Sequence, residues 1–298
     1  MHINGVKIVD TFAEAFSLHG TRFIITAANR QWALEAARSV TGFATSIIGC
    51  GCEAGIEEEL AVSDTPDGRP GVAILLFASP PEQLEKQLLT RVGQCIMTCP
   101  TTACFNGLDS TDRITVGGSI RYFGDGWQAS KVIDQIRYWR IPVMEGEFLI
   151  EETFAYVKGV GGGNFLILGK SMEQTLAASS EAVAAMRQVP GVIMPFPGGI
   201  VRSGSKVGSR YKFLSASTNT PYCPTLQGRV QSDLPTGVNC VLEVVIDGLN
   251  LEAVETATRV GVEAACGPGI VEITAGNYGG DLGKYHIYLH QVLGNTSR

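Results

Sequence analysis

One carboxylate stands out for its setting. Glu243 interrupts CVLEVVI (240–246), a run apolar on both faces, as in a strand that is covered on each side. A carboxylate there is costly unless it is paired. Desolvation raises a carboxyl pKa toward neutrality, and such a group can both give and take a proton. Two blander settings stay open: a Glu neutralised by a Lys or Arg, or a Glu at the strand's open end.

Two glycine-rich stretches could hold a ligand. GVGGGNF (159–165) reads as lying just before its strand, whereas a dinucleotide fingerprint follows a strand and opens a helix onto the pyrophosphate. Gly161, Gly162 and Gly163, with Asn164 at their end, let a flat ligand or another backbone approach closely; a plain strained turn explains them equally well. In GGIVRSGSK (198–206), Gly199 and Gly204 have phosphate-loop spacing, but Ser205 and Lys206 stand in reverse order, which argues against a nucleotide triphosphate. Either this loop takes another anionic or polar ligand through Arg202, Ser203, Ser205 and Lys206, or it is a Gly/Ser-rich surface loop.

Metal and nucleophile chemistry find little support. Cys50 and Cys52 form C-x-C, and Cys95, Cys99 and Cys104 lack the paired C-x2-C of zinc or iron–sulfur sites. His286 and His290 lie in KYHIYLH, which alternates like a strand and would hold them roughly 13 Å apart. Only four histidines exist, and no G-x-S-x-G elbow is present.

These residues need a frame, and periodicity supplies the same phrase four times: a strand-length apolar run, a helix and a second apolar run. The phrases are RFIITAA (22–28), a helix at 30–40 and ATSIIG (44–49); VAILLFA (72–78), a helix at 82–92 and CIMTC (95–99); NFLILG (164–169), a helix at 172–188 and VIMPF (192–196); and CVLEVVI, a helix at 251–265 capped by Asn250, and IVEIT (270–274). The class is α/β (α+β). Two phrases per half predict a duplicated ferredoxin-like βαββαβ sandwich with lobes at 1–149 and 150–298. Long Gly/Pro/Ser-rich loops at 63–71 and 198–219 are of a length that tends to carry function.

The chain has 298 residues, 45% hydrophobic, 17% charged, with net charge −6. No basic run interleaved with aromatics offers a phosphate backbone a partner, so no nucleic acid is expected. No apolar stretch approaches the roughly 18 residues of a membrane span. The start MHINGVKIVDTFAEAF lacks a basic segment followed by an apolar block, which predicts a cytoplasmic protein with eight thiols.

TPDGRPG (65–71), RVGQCIMTCPTTACFNGL (91–108), GGGNF, PFPGGIVRSGSKVGS (195–209), LEVVIDGLN (242–250) and AGNYGGDLGKYHIYLH (275–290) closely resemble formylmethanofuran:tetrahydromethanopterin formyltransferase, nearly end to end. The resemblance implies two ferredoxin-like lobes, a homotetramer built as a dimer of dimers, and a pterin cleft near a subunit interface. It also implies formyl transfer between the amine of methanofuran and N5 of tetrahydromethanopterin, the two co-substrates, with no metal and no ATP. The family's acid/base glutamate lies in the motif matching LEVVI and carries over to Glu243. Gly162, Asn164, Ser203 and Ser205 are the favoured donors to the oxyanion. The implied place is one-carbon metabolism, either formaldehyde oxidation to formate or methanogenesis; the modest charge, CGCEAG (50–55) and the Thr-Ser-Arg end resemble the methylotrophic-bacterial form, a subunit of a formyltransferase/hydrolase complex that runs in the oxidative direction.

Two other functions compete. A non-catalytic subunit could hold methanofuran for a hydrolase, since one fold hosts many functions. A metal-independent amide hydrolase could use Glu243 to activate water, although nothing supplies a nucleophile–base pair.

Overall fold

The computed structural model describes residues 1–294, and the Thr-Ser-Arg end lies outside them. Backbone packing divides the chain into two compact units, one of Leu18–Gly159 and one of Met1–Ser17 with the chain from Val160 onward. The second unit therefore includes the first seventeen residues, since Val6–Ile8 pairs in parallel with Ile270–Thr274 and Tyr285–Tyr288 pairs with the opening of Phe12–Thr26.

The Leu18–Gly159 unit takes the second half of β1 (Phe12–Thr26), then α1 (Arg30–Thr41), β2 (Cys52–Leu60), β3 (Gly71–Ala78), α2 (Pro81–Arg91) and β4 (Ala103–Asn106). β1 lies antiparallel between β3 and β4, and β2 lies beyond β3, giving the order β4-β1-β3-β2. Asn29 starts α1 by accepting the Trp32 N–H at 3.1 Å, satisfying one of the free donors of the first turn. Ala33, Ala36, Ala37 and Val40 of α1 and Leu84 and Leu88 of α2 then bury against Phe23, Ile25, Val72, Ile74 and Leu76.

The second unit repeats this with β5 (Val157–Gly169), α3 (Met172–Met186), β6 (Val192–Ile193), β7 (Cys240–Gly248), α4 (Leu251–Ala265) and β8 (Ile270–Thr274). Its order is β8-β5-β7-β6, antiparallel throughout. Asn250 caps α4 by accepting the Ala253 N–H at 2.8 Å. Both units are thus βαββαβ sandwiches of one topology, as the duplication predicts.

Several elements differ from expectation. ATSIIG is a two-residue strand, Thr45–Ser46, followed by a short helix, Ile47–Cys50. The helix stops at Gly51, whose φ of 80° is the left-handed turn that glycine allows. The true second strand is β2, whose sequence CEAGIEEEL hides behind three glutamates; Glu57 pairs with Arg22 and Glu59 with Arg30. CIMTC is not a strand either. α2 runs on as a π-helical turn, Val92–Ile96, burying Val92 and Ile96 on one side, and the strand begins only at Ala103. The glycine run lies inside β5 rather than before it, with a bulge between Val160 and Gly163 and Gly162 at φ 79°. His290 begins no strand pair but sits in the helix Leu289–Gly294. A meander of Ala129–Ile133, Ile136–Val143 and Gly146–Glu151, added beside β4, was not foreseen. No helix among the described residues is long and apolar enough to cross a membrane.

Candidate functional site

In β7 the alternation is literal. Val244 and Ile246 turn to the helices and join the second unit's main core, so Glu243 and Asp247 turn to the other face. Leu166 of β5 lies opposite Glu243 and also opposite Thr274 of β8. On that face Leu166 and Leu168 form a small cluster with Val238 and the partly buried Tyr222 and Leu234 of the long loop.

The edge beside Glu243 is interrupted. β6 pairs Val192 and Ile193 with Gly248 and Asp247, then the chain leaves through the turn Pro197–Gly199. It returns at Val201, whose N–H donates to the Glu243 carbonyl at 2.8 Å while the Glu243 N–H donates to the Val201 carbonyl at 3.0 Å. The Arg202–Lys206 loop therefore departs from the residue bridged to Glu243. No helix follows it; Lys206 opens the short strand Lys206–Val207, paired with Ala216–Ser217. The phosphate-loop geometry needs a helix at that point.

Glu243 is partly buried, and burial pushes its carboxyl up to about 7. Among the described residues no Lys or Arg pairs with it and no donor hydrogen-bonds its carboxylate. This removes the neutralised-Glu setting left open by the sequence. Its charge reaches the Tyr278 hydroxyl, which is raised first by burial and then by the Glu243 and Glu14 charges, against a lowering hydrogen bond with Ser205. The Tyr278 hydroxyl thus lies within reach of the Glu243 charge.

The other foreseen residues divide by their engagement. Asn164 is buried and its amide is fully used: Oδ1 accepts the Gly276 N–H at 2.6 Å, and Nδ2 donates to the Gly162 and Gly276 carbonyls at 3.2 Å each. The Gly162 N–H donates to Asp247 Oδ1 at 2.9 Å. Gly161 is buried within β5, and a Cβ on Gly163 would stand 2.7 Å from Val254 of α4. So the glycine run brings the strand close to a helix, and Asn164 locks the run to the loop after β8. Arg202, Ser203 and Ser205 are exposed, Lys206 is half-buried, and the Ser203 carbonyl accepts the Thr218 hydroxyl at 3.3 Å.

Sequence reasoning missed Tyr278 and Glu14. Tyr278 lies within AGNYGGDLGKYHIYLH, a motif in which sequence reasoning assigned it no role of its own. Glu14 is fully buried; its carboxylate accepts the N–H groups of Tyr278, Leu282 (2.9 Å) and Gly283 (2.9 Å). Burial raises its pKa, but these peptide donors and Gly280 outweigh that and bring it down to about 2. Nothing in FAEAF separates Glu14 from a surface glutamate, because its partners come from the far end of the chain.

Other motifs are consumed by structure. In TPDGRPG, Arg69 pairs with Asp67 at 2.7 Å and donates to the Thr101 carbonyl and the Thr26 hydroxyl, while the Thr65 hydroxyl donates to the Arg69 carbonyl. The eight cysteines are unbridged. Among the described residues no group of three or more His, Cys, Asp or Glu could hold a metal ion.

Comparison with known proteins identifies the family. The family described as "Formylmethanofuran-tetrahydromethanopterin formyltransferase" matches residues 1–143, and its "FTR, proximal lobe" matches residues 146–292. A formylmethanofuran–tetrahydromethanopterin formyltransferase of Methylobacillus flagellatus is 57% identical, over 98% of this chain and all of the relative. Two solved structures superpose closely. The formyltransferase of Methanosarcina barkeri gives a TM-score of 0.94 at 47% identity, covering 98% of this chain and 100% of its own. The formyltransferase/hydrolase complex of Methylorubrum extorquens, solved with methylofuran, gives 0.96 at 53% identity, covering 98% of each chain. The chain belongs to the formylmethanofuran–tetrahydromethanopterin formyltransferase family.

Proposed function

We propose that the face of β7 bearing Glu243 is where a formyl group passes reversibly between N5 of tetrahydromethanopterin and the amine of methanofuran. The observation that supports this most directly is the unpaired Glu243, held near neutrality by burial. A carboxyl raised to about 7 suits a reaction that moves protons between two nitrogens. The attacking nitrogen's lone pair forms the new C–N bond, and the carbonyl π pair moves onto oxygen. The Glu243 carboxylate takes the proton that the attacking nitrogen sheds. As the oxyanion collapses and the old C–N bond breaks, the same carboxyl delivers that proton to the leaving nitrogen. No net proton is consumed.

Donors to the oxyanion come from groups with spare capacity, and the exposed Ser203 and Ser205 remain in that role. Gly162 and Asn164, engaged by Asp247 and Gly276, shape the wall instead, together with Gly161 and Gly163. Arg202 and Lys206 offer positive charge to an acidic substituent of either co-substrate.

We take 1–149 and 150–298 as the duplicated lobes, the first seventeen residues pairing into the second. The protein acts in the cytoplasm as a homotetramer, a dimer of dimers; the low charged share and exposed apolar side chains such as Ile48, Trp127 and Met144 favour further buried surface. The Methylorubrum complex supports hydrolase subunits as partners, so that formaldehyde-derived formyl groups leave as formate.

Purified protein mixed with formyl-methanofuran and the tetrahydropterin should show the formyl-pterin absorbance rising to an equilibrium. Isotope-labelled formyl groups should exchange with almost no free formate. Steady formate release without pterin would make the chain a hydrolase, and absence of both activities would leave a methanofuran-holding subunit.

A further inference from the structure

The loop after β8, from Ala275 to Lys284, has almost no secondary structure of its own, yet it leaves β8 at Thr274, which lies opposite the same Leu166 as Glu243. Asn277 Oδ1 accepts the Gly279 N–H at 3.2 Å, and Gly279 and Gly280 adopt left-handed φ of 85° and 89°. The loop therefore turns back on itself. Such a segment has many conformations and needs external anchors to keep one. Two exist. Asn164 grips Gly276 from both sides of its peptide, and Glu14 gathers the N–H groups of Tyr278, Leu282 and Gly283 onto one carboxylate. Gly283 has no room for a side chain: a Cβ would stand 2.8 Å from the Glu14 Cβ.

Between these anchors the Tyr278 ring leans on Phe16, with centroids 6.4 Å apart. Its hydroxyl meets Ser205 and senses Glu243. Tyr278 is 36% exposed, so a ligand on this face can reach it. Charge-assisted bonds to a buried carboxylate are the stronger class of hydrogen bond, which makes Glu14 a firm anchor rather than a decoration.

Resting on the reading of Glu243 as the proton carrier, we propose that Glu14 is a positioning residue whose carboxylate folds the 275–284 loop so that the Tyr278 hydroxyl faces the reacting formyl group beside Glu243 and donates a hydrogen bond to its oxyanion. The Tyr278 proton stays on its oxygen; only Glu243 exchanges protons. Tyr278 is the partner that develops its strongest bond in the transition state, and Glu14 acts through it.

The test is a double-mutant cycle on the full chain with both co-substrates. Tyr278→Phe should lower kcat by about 10²-fold, the usual size for one oxyanion donor, with KM for the pterin changed less than about threefold. Glu14→Gln keeps the shape but leaves one carbonyl oxygen to serve several N–H groups; it should lower kcat in the same direction. In the Tyr278→Phe background, Glu14→Gln should cost almost nothing more. Additive losses would overturn the proposal, because a merely structural Glu14 would not act through the tyrosine. Amide hydrogen exchange supplies a reading free of activity: Tyr278, Leu282 and Gly283 should exchange slowly in the wild type and fast in Glu14→Gln, while Val244 and Ile246 of β7 stay protected. Equal exchange in both proteins would overturn the clamp. Should Glu14→Gln fail to fold, Tyr278→Phe alone decides, an unchanged kcat refuting the role. Glu243→Gln separates the two readings: normal kcat there sinks the proton carrier, whereas a normal kcat in Tyr278→Phe with a crippled Glu243→Gln sinks only this proposal.

Discussion

The two units share a strand order and both bury charge on the sheet face away from the helices, but they treat it in opposite ways. In the Leu18–Gly159 unit Arg22 reaches Glu57 through two bonds of 2.6 Å, and its neighbours on β3 are apolar and buried, including Ala73 and Phe77. In the other unit the residues at the same distance before the following helices are Asn164, Glu243 and Asp247. Arg22 becomes Asn164, Ala73 becomes Glu243, and Phe77 becomes Asp247. A buried carboxylate held by a bidentate arginine is a structural element. One without a cation is pushed toward neutrality, where its proton is free to move. The same fold thus hosts a strut in one unit and a candidate proton carrier in the other.

The sharpest break would come at Glu243. Glu243→Gln keeps the shape and removes the proton, so kcat should fall by about 10²-fold or more with pterin affinity nearly constant, as read by steady-state formyl transfer. A variant with near-normal turnover would make the two carboxylates alike in being structural.

Arg22→Met tests the other side. It removes both guanidinium bonds to Glu57, whose side chain is only 5% exposed, and should destabilise the fold by about 1.5–3 kcal/mol in a denaturant melt. The turnover of the folded fraction should be unchanged. Loss of turnover without loss of stability would mean that the strut also serves chemistry.

Stability against pH separates the two further. Glu243 has its carboxyl raised to about 7 from an ordinary 4.5, so between those values the folded state holds a proton that the unfolded state has released. Stability from this group is full below about pH 4.5 and is lost as pH rises through 7. Glu243→Gln should therefore be more stable than wild type at pH 8, by on the order of 2–3 kcal/mol, with the difference vanishing near pH 4.5. Glu14 has the reverse sign: its pKa is lowered to about 2, so its contribution is full above about 4.5 and fades as pH falls toward 2. Melts of wild type and Glu243→Gln that stay parallel from pH 4.5 to 8 would show Glu243 to be paired and ionised throughout.

The smallest effect concerns the glycine run. Where the first unit has Thr21, the second has Gly163, and a Cβ there meets Val254 at 2.7 Å. Gly163→Ala should cost about 1–2 kcal/mol through displaced α4, measured by thermal melting. A neutral outcome would show that α4 can retreat and that the glycine serves something other than packing.

How far the sequence went depends on how local each signal was. The duplicated βαββαβ plan, all four long helices and the Asn250 cap follow from hydrophobic period and capping chemistry, which act over a few residues. So does the oddity of Glu243, because an acidic residue in a doubly apolar strand is visible in seven letters. β2 was hidden because its glutamates find Arg22 and Arg30 only after folding, and α2 was cut short because a π-turn breaks the period that reveals helices. The meander at 129–151 shows its alternation in Trp139, Ile141, Phe148 and Ile150, all buried, yet it lies outside the repeated phrase and was passed over.

The site was less legible than the fold. The sequence by itself determined the topology and singled out Glu243 as a carboxylate in an apolar strand, leaving its role open. Only the tertiary structure decided that Glu243 has no cation, that Asn164 and the Gly162 N–H are already spent, and that the Glu14 carboxylate meets the Tyr278 peptide although most of the chain separates them. Burial and hydrogen-bond partners are set by contacts between distant residues, and a carboxylate's pKa is fixed by those contacts rather than by its neighbours in sequence.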